Sequence, residues 1–269
     1  MTDILRELSA LRRLDAERRE AEVPFAEMAR RAAAAPAPRD FAAALATPRP
    51  DGRARIIAEL KRASPSEGMI REDFHPRDLA AELEKAGAAA LSVLCEPHRF
   101  LGGEDYLRAA HETVTIPILY KDFITTRYQV VAARAVGADA VLLIAAVLDN
   151  QDLAVLLDFA RELGMEALVE THDGGEIGRA VACGAKIVGV NCRNLRNFSC
   201  DVSLLETLVG AIPRPCLRVA ESGMHTPEAI ACARAAGADA FLVGTALMRA
   251  PSPSSKLLEL TSAPRSLEV

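Results

Sequence analysis

Two lysines and three glutamates stand where short apolar runs end. They are Glu59 and Lys61 in IIAELKRASPSEG (56–68), Lys121 in PILYKDFI, Glu170 in ALVETH and Glu221 in VAESGM. Asn191 and Arg193 close the run VGVNCR. An ammonium beside carboxylates can donate a proton, and a carboxylate tuned by its neighbours can accept one. Neighbouring lysines lower one another's pKa and glutamates oppose that shift, so donor and acceptor can coexist near neutral pH. In ESGMHTPEA (221–229) and LVGTALM (242–248) a glycine lies beside a hydroxyl residue just before a helical pattern. Small residues let backbone N–H groups approach an anion, and a helix N-terminus favours it electrostatically. Ser222, Gly223, Gly244 and Thr245 are therefore candidates for a phosphate grip, although plain turn chemistry gives the same residues.

These groups can cooperate only if the chain brings the run ends to one place. Four segments share a pattern: AGAAALSVL (86–94), VGADAVLLI (136–144), CGAKIVGVN (183–191) and AGADAFLVG (236–244). Each reads as a helix end, a Gly-Ala turn and an apolar strand, with glycine at the left-handed residue that follows a helix. Gly87, Gly137, Gly184 and Gly237 lie 50, 47 and 53 residues apart. That is about twice the length of one strand–helix unit, so a further strand is expected between each pair. TIPILYKDF (115–123), MEALVET (165–171) and PCLRVAES (215–222) supply them, and IIAELK (56–61) supplies the first. Eight strands alternating with helices predict a parallel sheet. In 269 residues they fit an α/β fold of the (β/α)8 TIM barrel type, with an open doubly wound sheet as the alternative. All the strand ends then meet at one mouth. Within a strand, Glu59 and Lys61 share a face, as do Leu168 with Glu170 and Val219 with Glu221. Any one of these charges alone reads as a solvated loop residue; the set reads as a polar pocket, because unpaired buried charge is costly. Leu142, at the apolar end of its strand, is a candidate pocket wall.

Residues 1–48 precede this pattern and are expected to form a helical extension packed on a barrel spanning 49–269. Ile4, Leu8 and Leu11 mark an amphipathic helix face, and AAAAPAPRDF (32–41) reads as a linker before a short helix. The core must be aliphatic, because aromatics are 4% of residues and Trp is absent. The net charge of -5 gives no basic surface for nucleic acid. The densely charged MTDILRELSALRRLDAERRE is not a signal peptide, and the run AVLLIAAVL (140–148) is too short to span a bilayer. A cytoplasmic protein without membrane contact, and a monomer, is the expectation. The six cysteines show no CxxC spacing and are expected to be reduced, and the five histidines are scattered. No metal and no cofactor are expected.

The ordered motifs IIAELKRASPSEG, LSVLCEPHRFLGG, PILYKDFI, ALVETH, VGVNCRNLRNF, VAESGM and FLVGTALM closely resemble those of the indole-3-glycerol phosphate synthases. The resemblance runs from about residue 3 to 250 and takes in the N-terminal helical region. It implies ring closure of 1-(o-carboxyphenylamino)-1-deoxyribulose 5-phosphate with loss of CO2 and water, in tryptophan biosynthesis. It further implies Lys121 as the general acid at the sugar carbonyl and Lys61 as the contact to the substrate carboxylate. By the same resemblance Glu170 is the acid/base of dehydration, and Glu59 positions the lysines or takes part in that step. Asn191 and Arg193 orient substrate and catalytic groups, and Glu221 is a further inward glutamate. Ser64, Ser222, Gly223, Gly244 and Thr245 match phosphate or substrate contacts, and Phe100, Phe123, Leu142 and Leu195 match walls around the aromatic ring.

The chain departs from the family at Cys95, where threonine is common, and at Gly103 in an FxGS-like loop. Thr245 is a hydroxyl variant, and NFSC (197–200) replaces a common TF continuation. None of these removes a catalytic candidate. Two rivals remain at this level. One is a sister phosphate-sugar isomerase, whose chemistry usually uses a cysteine and an aspartate. The other is a paralogue that binds without turnover.

Overall fold

Helices of the protein stop on one device. Gly87, Gly137, Gly184 and Gly237 take φ of 93°, 97°, 87° and 99°. The amide after each glycine (Ala88, Ala138, Ala185, Ala238) donates to the carbonyl five residues back at 3.0 Å. This satisfies helix-end carbonyls and turns the chain into the next strand, and only glycine reaches that conformation without cost. The computed structural model describes residues 3–192 and 202–262.

These four are α4 (Pro76–Lys85), α6 (Arg127–Ala135), α8 (Gly174–Ala182) and α10 (Pro227–Ala235); a fifth helix, Asn150–Glu162, ends the same way at Gly164 (φ 75°), where the Met165 amide donates to the Ala160 carbonyl at 3.0 Å. The strands after the first four are β4 (Ala90–Leu94), β6 (Ala140–Ile144), β8 (Ile187–Asn191) and β10 (Ala240–Val243). Between them run β5 (Ile118–Lys121), β7 (Glu166–Thr171) and β9 (Leu217–Glu221), and β1 (Ile56–Leu60) comes first. Every neighbouring pair is parallel, and β1 pairs with both β4 and β10, so the eight strands close into a barrel. The remaining elements are the hairpin β2 (Ala63–Ser64) with β3 (Gly68–Met69), α5 (Glu104–His111), α7 (Asn150–Glu162), α9 (Val202–Ala211), α11 (Thr245–Arg249) and α12 (Pro253–Thr261). The expected (β/α)8 architecture is the observed one. Among the described residues no helix is long and apolar enough to cross a membrane.

Strand alternation divides the core into two. Ile57, Ala90, Leu119, Ala140, Leu168, Ile187, Val219 and Ala240 fill the barrel interior. Tyr120, Val141, Val188 and Phe241 face the surrounding helices. The residues before β1 form α1 (Asp3–Glu22), α2 (Phe25–Ala34) and α3 (Phe41–Ala46). The region read as a linker therefore shrinks to residues 35–40: Ala32–Ala34 stay helical, as alanine favours, and Pro36 and Pro38 prevent continuation.

Both barrel ends are closed by this leading segment. Phe41 and Leu45 of α3, each 0% exposed, join the interior cluster beside the first residues of the strands. The Arg39 amide donates to Asp139 Oδ1 at 2.8 Å there, fixing α3 under the barrel. At the other end Leu5 and Leu8 of α1 enter the same cluster. Arg12 anchors that helix: its Nε lies 3.0 Å from both Asp122 oxygens and its Nη2 2.6 Å from Oδ2. Asp122 follows Lys121, and its side chain is fully buried. Arg12→Met strands that carboxylate, so it should cost about 3 kcal/mol in urea unfolding at neutral pH. Adding Asp122→Asn should recover much of the loss. Equal stability of Arg12→Met and wild type would show that the clamp contributes nothing.

One cysteine expectation needs correction. Cys95, Cys183, Cys216 and Cys232 are free, but Cys192 is disulfide-bonded. The spacing carried no signal for it, because a disulfide depends on proximity that a CxxC search does not test.

Candidate active site

The C-terminal ends of the strands open into one cavity under α1. Its walls include Glu59, Lys61, Ser64, Phe100, Lys121, Phe123, Leu142, Glu170, Asn191, Glu221, Ser222, Gly223, Gly244 and Thr245. Every site residue expected from the sequence within the described residues is thus brought to one place. Arg193 and Leu195 lie outside the described residues.

At the centre, the Lys121 ammonium is ringed by carboxylates. Its Nζ lies 3.2 Å from Glu221 Oε2, 3.3 Å from Glu170 Oε2 and 3.9 Å from Glu59 Oε2. Burial opposes the charge on Lys121, but Glu221, Glu170 and Glu59 outweigh it and hold its pKa well above the ordinary lysine value. The mutual lowering expected between lysines is therefore overridden at Lys121 by three anions. The second amine sits at the edge: Lys61 Nζ is 2.8 Å from Glu59 Oε1. Burial raises the Glu59 carboxyl, yet Lys61 and Lys121 bring it below its usual value.

Glu170 and Glu221 are pushed apart. Burial raises Glu170, but Lys121, His172 and Asn191 reverse the effect and hold it below the carboxylate range. Burial also raises Glu221; Lys121 opposes and the Glu170 charge reinforces, leaving it above the range. Glu221 Oε1 has no hydrogen-bond partner. Of the two carboxyls, then, Glu221 holds a proton more tightly and Glu170 is the more readily ionised. Asn191 Nδ2 donates to Glu170 Oε1 at 3.1 Å, and Ser222 Oγ donates to Asn191 Oδ1 at 2.7 Å. This chain of bonds links Glu170 to the loop after β9.

Two glycines make the room. A Cβ at Gly189 would collide with Glu221 Oε1, and one at Gly244 with Glu59 Oε1. Both glycines lie on inward positions of the strand period, so their small size is a cost accepted where a charged side chain must pass. After β9 the chain turns through Ser222 (φ 60°) and Gly223 (φ 71°). A non-glycine residue in that conformation stores strain, as ligand-binding turns often do. Gly244 then N-caps α11.

Phe100 and Phe123 form the aromatic wall, their ring centroids 6.3 Å apart. The loop after β4 presents Phe100. Fully buried Glu96 accepts from the amides of His98, Arg99 and Phe100 at 2.7, 2.7 and 2.9 Å. Cys95 is buried, and desolvation raises its thiol pKa well above the usual value, so it is a packing residue.

Some of the site was not expected from sequence. Ile4, Leu5 and Leu8 of α1 roof the cavity, and Pro65, Ser66, His225 and Ala246 extend its walls. The apolar face of α1 was visible, but an amphipathic face does not say which surface it covers. His172 was also missed as a neighbour of Glu170; two-residue periodicity along β7 could have found it.

A sequence model described as "Indole-3-glycerol phosphate synthase" matches residues 5–260. A relative of that name from Azoarcus sp. (strain BH72) is 45% identical over 265 residues, covering 97% of this chain and 99% of its own. Another, from Albidiferax ferrireducens, is 44% identical over 260 residues, covering 97% and 98%. Among solved structures, orotidine 5'-phosphate decarboxylase from Pyrococcus horikoshii superposes with TM-score 0.59 at 16% identity, over 79% of this chain and 100% of that one. Thiamine phosphate pyrophosphorylase from Pyrococcus furiosus gives 0.56 at 17%, over 77% and 93%. Those two likenesses concern the barrel alone. With the full-length matches at 44 and 45% identity, this chain belongs to the indole-3-glycerol phosphate synthase family, carboxy-lyases of tryptophan biosynthesis.

Proposed function

We propose that this cavity converts 1-(o-carboxyphenylamino)-1-deoxyribulose 5-phosphate to indole-3-glycerol phosphate, with Lys121 as the acid and Glu170 as the base. The observation that carries the assignment is the position of one buried ammonium among three carboxylates, two of them pushed to opposite sides of their usual range. The substrate phosphate occupies the turns at Ser222–Gly223 and Gly244–Thr245, and the aromatic ring lies against Phe100, Phe123 and Leu142. That orientation brings the sugar carbonyl to Lys121 and the ring carboxylate to Lys61.

The aryl carbon bearing the carboxylate attacks the sugar carbonyl carbon. As the C–C bond forms, Lys121 delivers its proton to the carbonyl oxygen. The bond to the carboxylate then breaks, its electrons return to the ring system through the iminium, and CO2 leaves. Lys61 balances the carboxylate charge until that moment. In the last step Glu170 takes the proton from the carbon beside the ring nitrogen, the Lys61 ammonium protonates the new hydroxyl so that it departs as water, and the proton on Glu170 then passes back to the lysine. Glu59 holds Lys61, and Asn191 with Ser222 holds Glu170. Arg193 and Leu195 are assigned to substrate orientation and the ring wall by their sequence motif alone. The large exposed apolar side chains, such as Leu14, Val155 and Leu258, are spread over separate helices, which favours a monomer.

The test is direct. The purified protein, treated with a chelator and given no cofactor, should produce a catalytic rise in indole fluorescence with this substrate. Bound substrate with no rise would reject the reaction and leave a binding protein.

A further inference from the structure

Behind Glu170 lies a second carboxylate–imidazole pair that the reaction above does not use. Glu170 and His172 project to the same side of the chain at the end of β7. Thr171 points the other way, its Oγ1 donating to the Gly189 carbonyl at 2.7 Å. The ring of His172 stands between two carboxylates. Its Nδ1 is 3.1 Å from Glu176 Oε2, and its Nε2 is 3.4 Å from Glu170 Oε1.

Glu176 is itself held fast. It is the third residue of α8, and its amide donates to the N-cap Asp173 at 2.8 Å. Its Oε2 also accepts the His172 backbone N–H at 2.8 Å. Glu176, His172, Glu170 and Lys121 therefore run in line from a helix start to the centre of the site, alternating in charge. Nε2 is buried and makes no hydrogen bond, so its 3.4 Å approach to Glu170 Oε1 is an ion-pair contact. With an acceptor facing each nitrogen, the ring is best satisfied when both carry protons. Burial works against that charge, but Glu170 and Glu176 prevail and push His172 up to about 10. Among the described residues the charged groups facing the ring are Glu170 from β7 and Glu176 from α8, with Lys121 beyond Glu170.

We infer that His172, braced by Glu176, is a positioning residue that fixes the Glu170 carboxylate beside Lys121 and Asn191 and preserves it as a base. This rests on the role given to Glu170 above. Without the imidazolium, Glu170 loses one of three partners and one of two nearby cations. Its carboxyl is then free to rotate, and it titrates higher.

The test is the pH profile of kcat in two variants. His172→Gln keeps a hydrogen-bond donor but is neutral at every pH. It should lower kcat about 10- to 100-fold with KM within about twofold, and move the acidic limb of the profile upward. Glu176→Gln leaves the imidazole with one carboxylate, so its pKa falls. That variant should turn over near the wild-type rate in mild acid and lose activity at a lower pH than wild type on the alkaline side. A purely structural role would lower rate and thermal stability alike, with both limbs unmoved. Unmoved limbs in the two variants would overturn the inference, and should His172→Gln fail to fold, Glu176→Gln alone decides it. Glu170→Gln separates the two levels. If it is slow while the His172 and Glu176 variants behave as wild type, only the positioning role falls. If Glu170→Gln runs at the wild-type rate, the base assignment falls and the inference with it.

Discussion

Lys121→Met should lower kcat roughly 10³- to 10⁴-fold and leave the barrel folded. Methionine nearly matches the lysine stem in length, so the interior around β5 stays filled. What is lost is the proton donor proposed for the sugar carbonyl. KM should change far less, because the phosphate turns and Lys61 are untouched. The substitution also has a pH signature. In the wild type, Lys121 has a folded-state pKa above its unfolded value. Its contribution to stability is therefore fully present through acid and neutral pH and is lost only as pH rises through that high folded value. In the variant, Glu59, Glu170 and Glu221 face one another without this ammonium. All three folded pKa values rise, and that of Glu221, already above its unfolded value, rises further, so the variant loses stability relative to wild type as pH rises. The Tm deficit relative to wild type should thus widen between mild acid and mild alkali. A constant deficit would mean that Lys121 is not the group neutralising these carboxylates. A variant that kept most of its kcat would remove Lys121 from the acid role.

The barrel was legible because its signals are local. Gly87, Gly137, Gly184 and Gly237 each mark a helix end by a backbone requirement, and a short apolar strand follows each. Two-residue periodicity then places Glu59, Lys61, Glu170 and Glu221 on inward faces. The leading segment was harder for the opposite reason. Its helices were partly visible, but Leu5 and Leu8 at the mouth and Phe41 and Leu45 at the base are apolar residues without a local cue to their partner. The buried Arg12–Asp122 pair spans 110 positions, and no spacing rule reaches that far. The same holds for electrostatics. Sequence gave two lysines and several glutamates, but whether amines depress one another or carboxylates dominate depends on which ends of the barrel staves converge. The three-to-one ring around Lys121 decides it.

That ring also sets what Glu170 does. Glu170→Gln should slow product formation about 10²- to 10³-fold and change which step is slow. Glutamine matches the carboxylate in shape and can still accept a bond from Asn191, but it cannot take a proton. On the proposed mechanism ring closure relies on Lys121 and decarboxylation on the iminium, so both should proceed. Dehydration should stall. Rapid quenching should then find an intermediate that has lost CO2 and is one water heavier than the product, with CO2 release running ahead of the indole signal. If CO2 release and indole formation slow together, Glu170 acts before decarboxylation, and its part is to orient Lys121. The charge pattern argues for the later step. A carboxyl held below its usual range is ionised at neutral pH and ready to accept, while Glu221, raised by burial and by Glu170 itself, cannot substitute as a base until Glu170 has been neutralised. Removing the Glu170 charge in the variant lowers the Glu221 pKa and gives the site a replacement carboxylate at 3.2 Å from Lys121. The residual activity of Glu170→Gln should accordingly rise with pH as Glu221 ionises, and the double variant Glu170→Gln/Glu221→Gln should lose that rise.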